Sequence, residues 1–534
     1  MQAEPGPHNR RTDMDQERSM DELTEDLEQR RRRVRDDMGG THRVQSLRDR
    51  GILNARERID LLLDEGSFRE VGTFAVSWNP DDREGTPGDG RICGFGLVDG
   101  RPVAVEADDV TVKGASSAVV NLRRMDRVYL QAVRAGHPLV YFGENRGGRL
   151  PEYIGSEAIC EVGHEAIAWL KRKRDIPLAT VITGTSLGSS SLIAAASDLA
   201  VQVEGTTMSV VSPGIVEIAT GESVALEELG GPEVHARITG LTDLIAPDVE
   251  EAVRMVQQWL SYLPSNIEQP PPLAPEAPPP GRARLSEMVP TQRRRGYDMR
   301  RVLTELVDSG EYLELKPKFG RSLTTVLARL GGMPVGIMAS NPMFEAGSLT
   351  PAACDKGTRL LCLCDAFDLP LIILQDTPGF LVGRKVEHDR FINKSTMFFE
   401  ALVQASMPRL VVLVRKAYGA AFGSLGGAGT GSDLLVAWPT AEIGFMDPEV
   451  AVNALYGDEL AGLEGHERAA RFEELAAGMR QGNDPYGPAG TMQIDEVIHP
   501  DETRSLLISE LRRHRSLPPR PPHQRSLRNW PTSW

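Results

Sequence analysis

The chain has 534 residues, 40% hydrophobic and 25% charged, the balance of a globular protein with room for more than one core. A formal net charge of −15 argues against a general binder of nucleic acid or of anionic membranes, while leaving room for a local basic pocket. No apolar run is long enough to cross a membrane, and the opening residues Met1 to Arg11 carry no apolar signal core, so a cytoplasmic protein is expected.

Residues 1 to about 18 are polar and expected to be disordered. From Met20 to Met38 acids and bases alternate, which predicts a solvated helix with Arg30 to Arg33 on an exposed face. Asn54 to Gly72 reads as a short helix with Ile59, Leu62 and Leu63 inward and Gly66 at its end. Residues 91–109 alternate about Asp99-Gly100, the pattern of a β-hairpin. A helix over about 116–135 follows, then a strand over 137–145. After the turn Arg146-Gly147-Gly148-Arg149 come a helix over 156–172 and a strand with a small-residue turn over 177–192. The proline tract at 264–282 reads as a semi-extended, solvated linker.

Beyond the linker the pattern restarts. Val98-Asp99-Gly100-Arg101-Pro102-Val103-Ala104-Val105 is matched by Leu330-Gly331-Gly332-Met333-Pro334-Val335-Gly336-Ile337, placing Pro102 and Pro334 232 residues apart. Pro138-Leu139 and Pro370-Leu371 keep that offset, and Gly188-Ser189 and Gly419-Ala420 fall 231 apart. A duplicated α/β domain is the organising expectation. Arg415 to Gly423 follows the buried-strand pattern Leu410 to Val414. Alone it reads either as an ordinary strand-to-helix connection or as a turn whose backbone N–H groups face a developing negative charge. Its second copy favours a paired site for two anionic charges, with the ligand between the halves.

Five cysteines (93, 160, 354, 362, 364) lack zinc-ligand spacing and are expected as free, mostly buried thiols, with no metal site. His164, His235, His388 and His499 are isolated and read as structural or solvated.

These residues, taken in order, resemble the carboxyltransferase (β) subunits of biotin-dependent acyl-CoA carboxylases of the propionyl-CoA and methylcrotonyl-CoA type. The resemblance runs from about 40 to 515. It is carried by A-R-E-R-I-D-L-L-L-D-E-G-S-F (55–68), G-I-V-E-I-A-T-G-E-S-V-A-L-E-E-L-G-G (214–231) and C-D-A-F-D-L-P-L (364–371). It continues in D-T-P-G-F-L-V-G (376–383), R-K-A-Y-G (415–419), A-W-P-T-A-E-I (437–443) and I-D-E-V-I-H-P-D-E-T-R (494–504).

The resemblance implies an α/β protein of two tandem crotonase-like (ClpP/crotonase) domains forming a duplicated carboxyltransferase. Its divisions are a charged tail and helix (1–40), an acyl-CoA domain (41–263), the Pro-rich linker (264–286), a biotin domain (287–515) and a flexible tail (516–534). It implies that CO2 passes from carboxybiotin to the α-carbon of a coenzyme A thioester. The catalytic groups would be the N–H of Gly188 and Ser189 toward the thioester enolate, and of Gly419 and Ala420 toward the biotin ureido oxygen. Gly147, Gly148, Arg149, Phe380, Val382, Gly383 and Gly423 would line the substrates. Biotin arrives on a separate biotin carboxylase/biotin carrier subunit, since neither an ATP-handling region nor a biotin attachment site is found in the sequence. A homo-oligomer is implied, a hexamer built as a trimer of dimers. Lys171-Arg172-Lys173-Arg174 reads either as a contact for CoA phosphates or as a solvated helix end.

The chain departs from the family at Ser189, at the shortened Arg146–Arg149 turn, at Ile392-Asn393-Lys394-Ser395, at Gly423 in place of an Asp, and at Asp447 in place of a glycine. Ser189 introduces a Cβ expected to restrict φ and crowd the thioester. The departures leave two other readings: a decarboxylase of a malonyl-type thioester, or a non-catalytic assembly partner.

Overall fold

The computed structural model describes residues 18–150, 152–165 and 173–531, without the side chains of 161–165. The expected disorder of the N-terminus and the last residues of the helix over 156–172 lie outside the described residues.

Helix α1 (Met20–Arg32) buries none of its side chains and is laced by Arg30–Asp26 and Arg31–Glu28 pairs, as its charge alternation predicts. Helix α2 (Ala55–Leu62) starts on an Asn54 capping box with Glu57 and buries Ile59 and Leu62. It stops at Leu62, short of Gly66, because Leu63 turns extended so as to bury itself.

The N-terminal half is built on β1 (Arg69–Glu70), β2 (Arg91–Val98), β3 (Arg101–Asp108), β4 (Leu139–Gly143), β5 (Leu178–Ile182), β7 (Leu199–Val203) and β9 (Leu244–Ala246), which form one sheet in that order. The hairpin β2–β3 turns at Asp99 (φ 51°) and Gly100 (φ 74°), and from β3 onward the strands run parallel. Two short strands, β6 (Thr185–Leu187) and β8 (Thr207–Ser209), pair outside this sheet. Between strands lie α3 (Val119–Ala135), ended by left-handed Gly136, then α4 (Ser156–Glu165), α5 (Ser189–Ala196) and α6 (Pro213–Thr220).

The C-terminal half repeats this order with β10 (Tyr312–Leu315), β11 (Leu323–Leu330), β12 (Met333–Ser340), β13 (Leu371–Thr377), β14 (Arg409–Tyr418), β15 (Leu434–Ala437) and β17 (Glu496–Val497) in one sheet, and β16 (Glu442–Gly444) against the end of β14. Its helices include α7 (Pro351–Ala366), α8 (Gly419–Ser424), α9 (Pro448–Ala461) and α10 (Thr503–Arg515). The 232-residue offset holds for β2 and β11, β3 and β12, and the starts of α3 and α7. Even backbone strain is duplicated: Lys113, Gly114 and Ala115 have φ of 50°, 63° and 52°, and Glu345, Ala346 and Gly347 have 43°, 53° and 83°. The expected duplicated crotonase-like architecture is the observed one.

One hydrophobic cluster runs through both halves, from Ile59 and Trp259 to Phe398 and Leu527. Asp243 fastens the seam by accepting from Arg359 at 2.7 Å and pairing with Lys316 at 3.0 Å. The proline tract departs from expectation. It is extended but laid along the C-terminal half, where Ala274 N–H donates to Gly332 and the carbonyls of Pro272, Ala277 and Pro278 accept from Arg329, Arg504 and Ser309. A chain without regular structure leaves its carbonyls free, and arginines supply the donors. The C-terminal stretch also differs from a flexible tail: Ser516 to Pro531 folds back across the seam between the halves, where Arg525 donates to the carbonyls of Ile267 and Ala366, and Leu527 and Arg525 are buried. Arg174, read as part of a solvated run, is buried, pairs with Asp198 at 3.2 Å and donates to the carbonyls of Leu527, Arg528 and Trp530.

Candidate functional site

Each half presents a small-residue turn facing a glycine loop. In the N-terminal half, β6 lies parallel to β8 and delivers the chain to Gly188 (φ 66°, ψ −113°), which caps α5. The facing loop is fixed by a two-way bond: Ser117 N–H donates to Gly147, and Arg149 N–H donates to Ser117, each at 2.8 Å. A Cβ placed on Gly188 would stand 3.9 Å from the Gly147 Cα, so loop and turn line one cleft.

In the C-terminal half, β14 is one continuous strand where the first half has β5 and β6, and it delivers the chain to Gly419 (φ 61°), the first residue of α8. The facing loop repeats the same pairing 232 residues on: Leu349 N–H donates to Gly379 at 3.1 Å, and Leu381 N–H donates to Leu349 at 2.9 Å. Gly147 thus corresponds to Gly379, Gly148 to Phe380 and Arg149 to Leu381.

Not every expected donor is free. The Gly188 N–H, expected to face the ligand, donates to the Ser209 carbonyl at 3.2 Å, because β6 and β8 extend their ladder one residue further. The Ser189 N–H opens α5, where a helix has no acceptor of its own, and none among the described residues takes it. Arg149, expected on the substrate, is 4% exposed, pairs with Asp89 at 2.5 Å and meets Ser116 through its side chain and carbonyl. Its guanidinium holds the loop rather than a ligand. Gly148 packs on Tyr153. Ser189, expected to crowd the cleft, takes helical backbone, and its Oγ turns back to the Ser117 Oγ at 2.7 Å.

On the other side Gly419 is half-buried and Ala420 exposed. Phe380 packs edge-on against Phe391 at 5.1 Å, Val382 is 83% exposed, Gly383 begins a short helix and Gly423 lies beside Phe399. The Asp447 departure has a local reason: its carboxylate caps α9 and accepts from Arg293 at 2.9 Å. Arg293 also pairs with Glu442, which accepts from the Tyr418 hydroxyl at 2.6 Å. Burial, with the Glu442 carboxylate beside it, holds that phenol above its ordinary range.

The histidines act locally. His235 bridges the Met208 carbonyl and Thr239, with its pKa lowered by burial, and His499 caps a turn at Asp501. The side chain of His164 lies outside the described residues. Cys93, Cys354, Cys362 and Cys364 are buried free thiols, whereas Cys160 is exposed on α4. The residues that sequence reasoning missed are Ser117 and Asn145. Asn145 donates to the Ala115 carbonyl and to Ser117, while its own carbonyl accepts from Gly147 N–H. Reading the two copies against each other at the repeat offset marks them, since Leu349 and Thr377 stand in their places.

The carboxyl transferase domain family matches residues 46–525. The chain belongs to the carboxyl transferase family. It is 36% identical to the propionyl-CoA carboxylase carboxyltransferase subunit of Haloferax mediterranei over 481 residues, covering 89% of this chain and 92% of the relative. It is 32% identical to the methylmalonyl-CoA decarboxylase subunit alpha of Veillonella parvula, covering 89% and 92%. Its fold superposes on the transcarboxylase 12S crystal structure, described as a hexamer with methylmalonyl-coenzyme A and methylmalonic acid bound, with a TM-score of 0.87 at 31% identity, covering 96% of this chain and 98% of that one. Among the described residues of this chain, no helix is long and apolar enough to cross a membrane.

Proposed function

We propose that the chain is the carboxyltransferase subunit of a biotin-dependent acyl-CoA carboxylase, acting on an acyl-CoA with carboxybiotin presented by a separate biotin carboxylase/biotin carrier subunit. The observation that carries this is the duplicated cleft, a glycine loop facing a small-residue helix start once in each half. Backbone dipoles of this kind stabilise an oxyanion without a catalytic side chain.

In this reading residues 41–263 serve the acyl-CoA, 287–515 serve biotin, and 264–286 connect them. The Ser189 N–H stands toward the thioester oxygen, with Gly147 and Gly148 lining the approach. Gly188 and Arg149 hold the two backbones in place. In the second cleft the residues fit a flat ureido ring: Gly419 occupies the left-handed region, and a Cβ there would stand 3.0 Å from the Phe445 carbonyl. Gly419 and Ala420 present N–H groups to that ring, and Phe380, Val382, Gly383 and Gly423 line its approach. Bound there, carboxybiotin supplies the CO2. The chain's own work is to hold the developing enolate against fixed dipoles, to orient its α-carbon, and to exclude water from the cleft.

Helices α6 and α9, which follow the two turns at equivalent places, expose Ile215, Ile218, Val450 and Leu455, and Phe445 is 84% exposed. Apolar surface beside each half-site supports a site closed by a second subunit, the N-terminal half of one against the C-terminal half of another, in a hexamer of three dimers. A cytoplasmic location accords with an ATP-linked carboxylase.

Reconstitution tests the function. The chain, a biotin carboxylase, a biotin carrier, ATP and bicarbonate are combined over a panel of acyl-CoAs. Carrier-dependent formation of a carboxylated thioester is expected, and no product across the panel overturns the reading. The relative named a methylmalonyl-CoA decarboxylase subunit favours a second reading, in which the same enolate stabilisation runs in reverse. It predicts CO2 release from a malonyl-type thioester without ATP.

A further inference from the structure

The serine that replaces a family glycine at the first turn sits in a hydrogen-bond arrangement whose proton count can be closed. Asn145 has a fixed orientation, since its Oδ1 accepts the Gly147 N–H at 2.5 Å, so its other amide atom is the donor. That Nδ2 donates to the Ala115 carbonyl at 2.8 Å and to the Ser117 Oγ at 3.0 Å, and it reaches the Ser189 Oγ more weakly at 3.5 Å. Arg91, which can only donate, gives a second bond to the Ser117 Oγ at 3.3 Å. A hydroxyl oxygen accepts two bonds, so Ser117 has no lone pair left for Ser189. Their 2.7 Å contact must run from the Ser117 hydroxyl to the Ser189 Oγ. Tyr153, which also stands beside Ser117, competes for the Ser117 proton but not for its lone pairs, so Ser189 still cannot donate to Ser117. Ser189 is therefore an acceptor here, and no acceptor among the described residues takes its own hydroxyl proton.

Ser189 is also part-exposed, in the cleft where its N–H stands free. Ser117 and Asn145 are buried, so of the three only Ser189 reaches a ligand. The second half lacks the whole arrangement, with Leu349, Thr377 and Ala420 in the corresponding places. We propose that the Ser189 hydroxyl is a further catalytic donor, bonding the thioester oxygen together with the Ser189 N–H as negative charge builds on it, oriented by the Ser117 hydroxyl. This rests on the acyl-CoA reading of the N-terminal cleft. The hydroxyl compensates for the Gly188 N–H, which is spent on Ser209. No covalent bond to Ser189 forms or breaks; its proton stays on Oγ.

The test separates the oxyanion from the neutral ground state. The full-length chain and its Ser189→Ala and Ser117→Ala variants are titrated with propionyl-CoA and with a CoA thioether whose nitronate group mimics the enolate. Transfer is assayed alongside in the reconstituted system. Ser189→Ala is expected to bind the nitronate at least tenfold more weakly, to bind propionyl-CoA within twofold of wild type, and to lose kcat rather than raise KM. Ser117→Ala is expected to show a smaller loss of the same kind. Equal nitronate affinity in wild type and Ser189→Ala overturns the proposal whatever the transfer assay shows, as does an equal loss of affinity for both ligands. Failure of wild type to bind either ligand overturns both the proposal and the acyl-CoA reading. Discrimination against the nitronate by Ser189→Ala without transfer by wild type supports the donor role and removes the carboxylase reading alone.

Discussion

The two halves share a backbone and differ in what holds it. In the N-terminal half the glycine loop is tied down by ions and hydroxyls: Arg149 to Asp89, Arg91 to Asp108, Ser117 to Asn145 and Ser189. In the C-terminal half the corresponding loop positions carry Phe380 and Leu381, Leu349 replaces Ser117, and Phe380 packs on Phe391. The polar shell there lies on the strand side instead, where Asp376 accepts from Arg415 and Tyr297, and Glu442 accepts from Tyr418. The duplicated turn therefore needs the φ of one glycine and a paired loop, and each copy can reach that geometry with different side chains. The copies are then free to specialise for different ligands.

The largest expected effect breaks the ionic copy. Arg149→Ala leaves Asp89, fully buried, without its partner, and losing one member of a buried pair costs about 3–5 kcal/mol. Denaturant unfolding should show that loss, whereas Leu381→Ala at the corresponding place removes no charge and should cost clearly less. Equal losses would mean that the ion pair does not hold the N-terminal loop. Next comes Gly419→Val. The branched side chain must adopt a left-handed φ with its Cβ at the Phe445 carbonyl, so transfer should fall by about 10²–10³, the cost of removing an oxyanion donor. A folded variant with wild-type kcat/KM would remove the second turn from the mechanism. Leu527→Ala comes third. It empties a buried position that the C-terminal stretch shares with both halves, and a loss of about 2–3 kcal/mol is expected because the chain end can partly collapse into the space. An unchanged unfolding midpoint would show that the stretch contributes no stability.

Much of this frame was legible in the sequence, because the repeat is written in local signals: the hairpin dipeptides Asp99-Gly100 and Gly331-Gly332, the Pro138 and Pro370 strand starts, and the glycines at 188 and 419. The turns and their paired loops follow from those positions. What stayed hidden depends on partners remote in the chain. Nothing near Gly188 announces that its N–H meets Ser209, and Arg149 looks like a surface cation until the loop carrying Asp89 is folded against it. The arginine-rich stretch after Ser516 has the composition of a free tail. It is ordered by Arg174, more than 350 residues earlier, which in the sequence only ends the cationic run Lys171-Arg172-Lys173-Arg174.

The smallest effect sharpens the comparison at one buried cation. Arg124 on α3 and Lys356 on α7 occupy corresponding places 232 residues apart. Arg124 reaches Glu70 and the carbonyls of Val71, Gly88 and Arg91, enough acceptors to keep a fixed charge buried. Among the described residues Lys356 has the Phe319 carbonyl alone, at 3.1 Å, and burial pushes its ammonium down to about 7. A folded-state pKa below that of a free lysine means the unfolded chain binds the extra proton, so stability rises as pH climbs from about 7 toward about 10. This one group adds a slope of at most about 1.4 kcal/mol per pH unit. Lys356→Met keeps the length of the side chain without the charge, and its unfolding free energy should gain about 1 kcal/mol on wild type as pH is lowered from 8 to 7. The measurement is a pair of urea titrations at each pH. Parallel pH profiles for wild type and variant would show that Lys356 stays charged in the fold, as Arg124 does, and that one carbonyl suffices where the first half uses a carboxylate and three carbonyls.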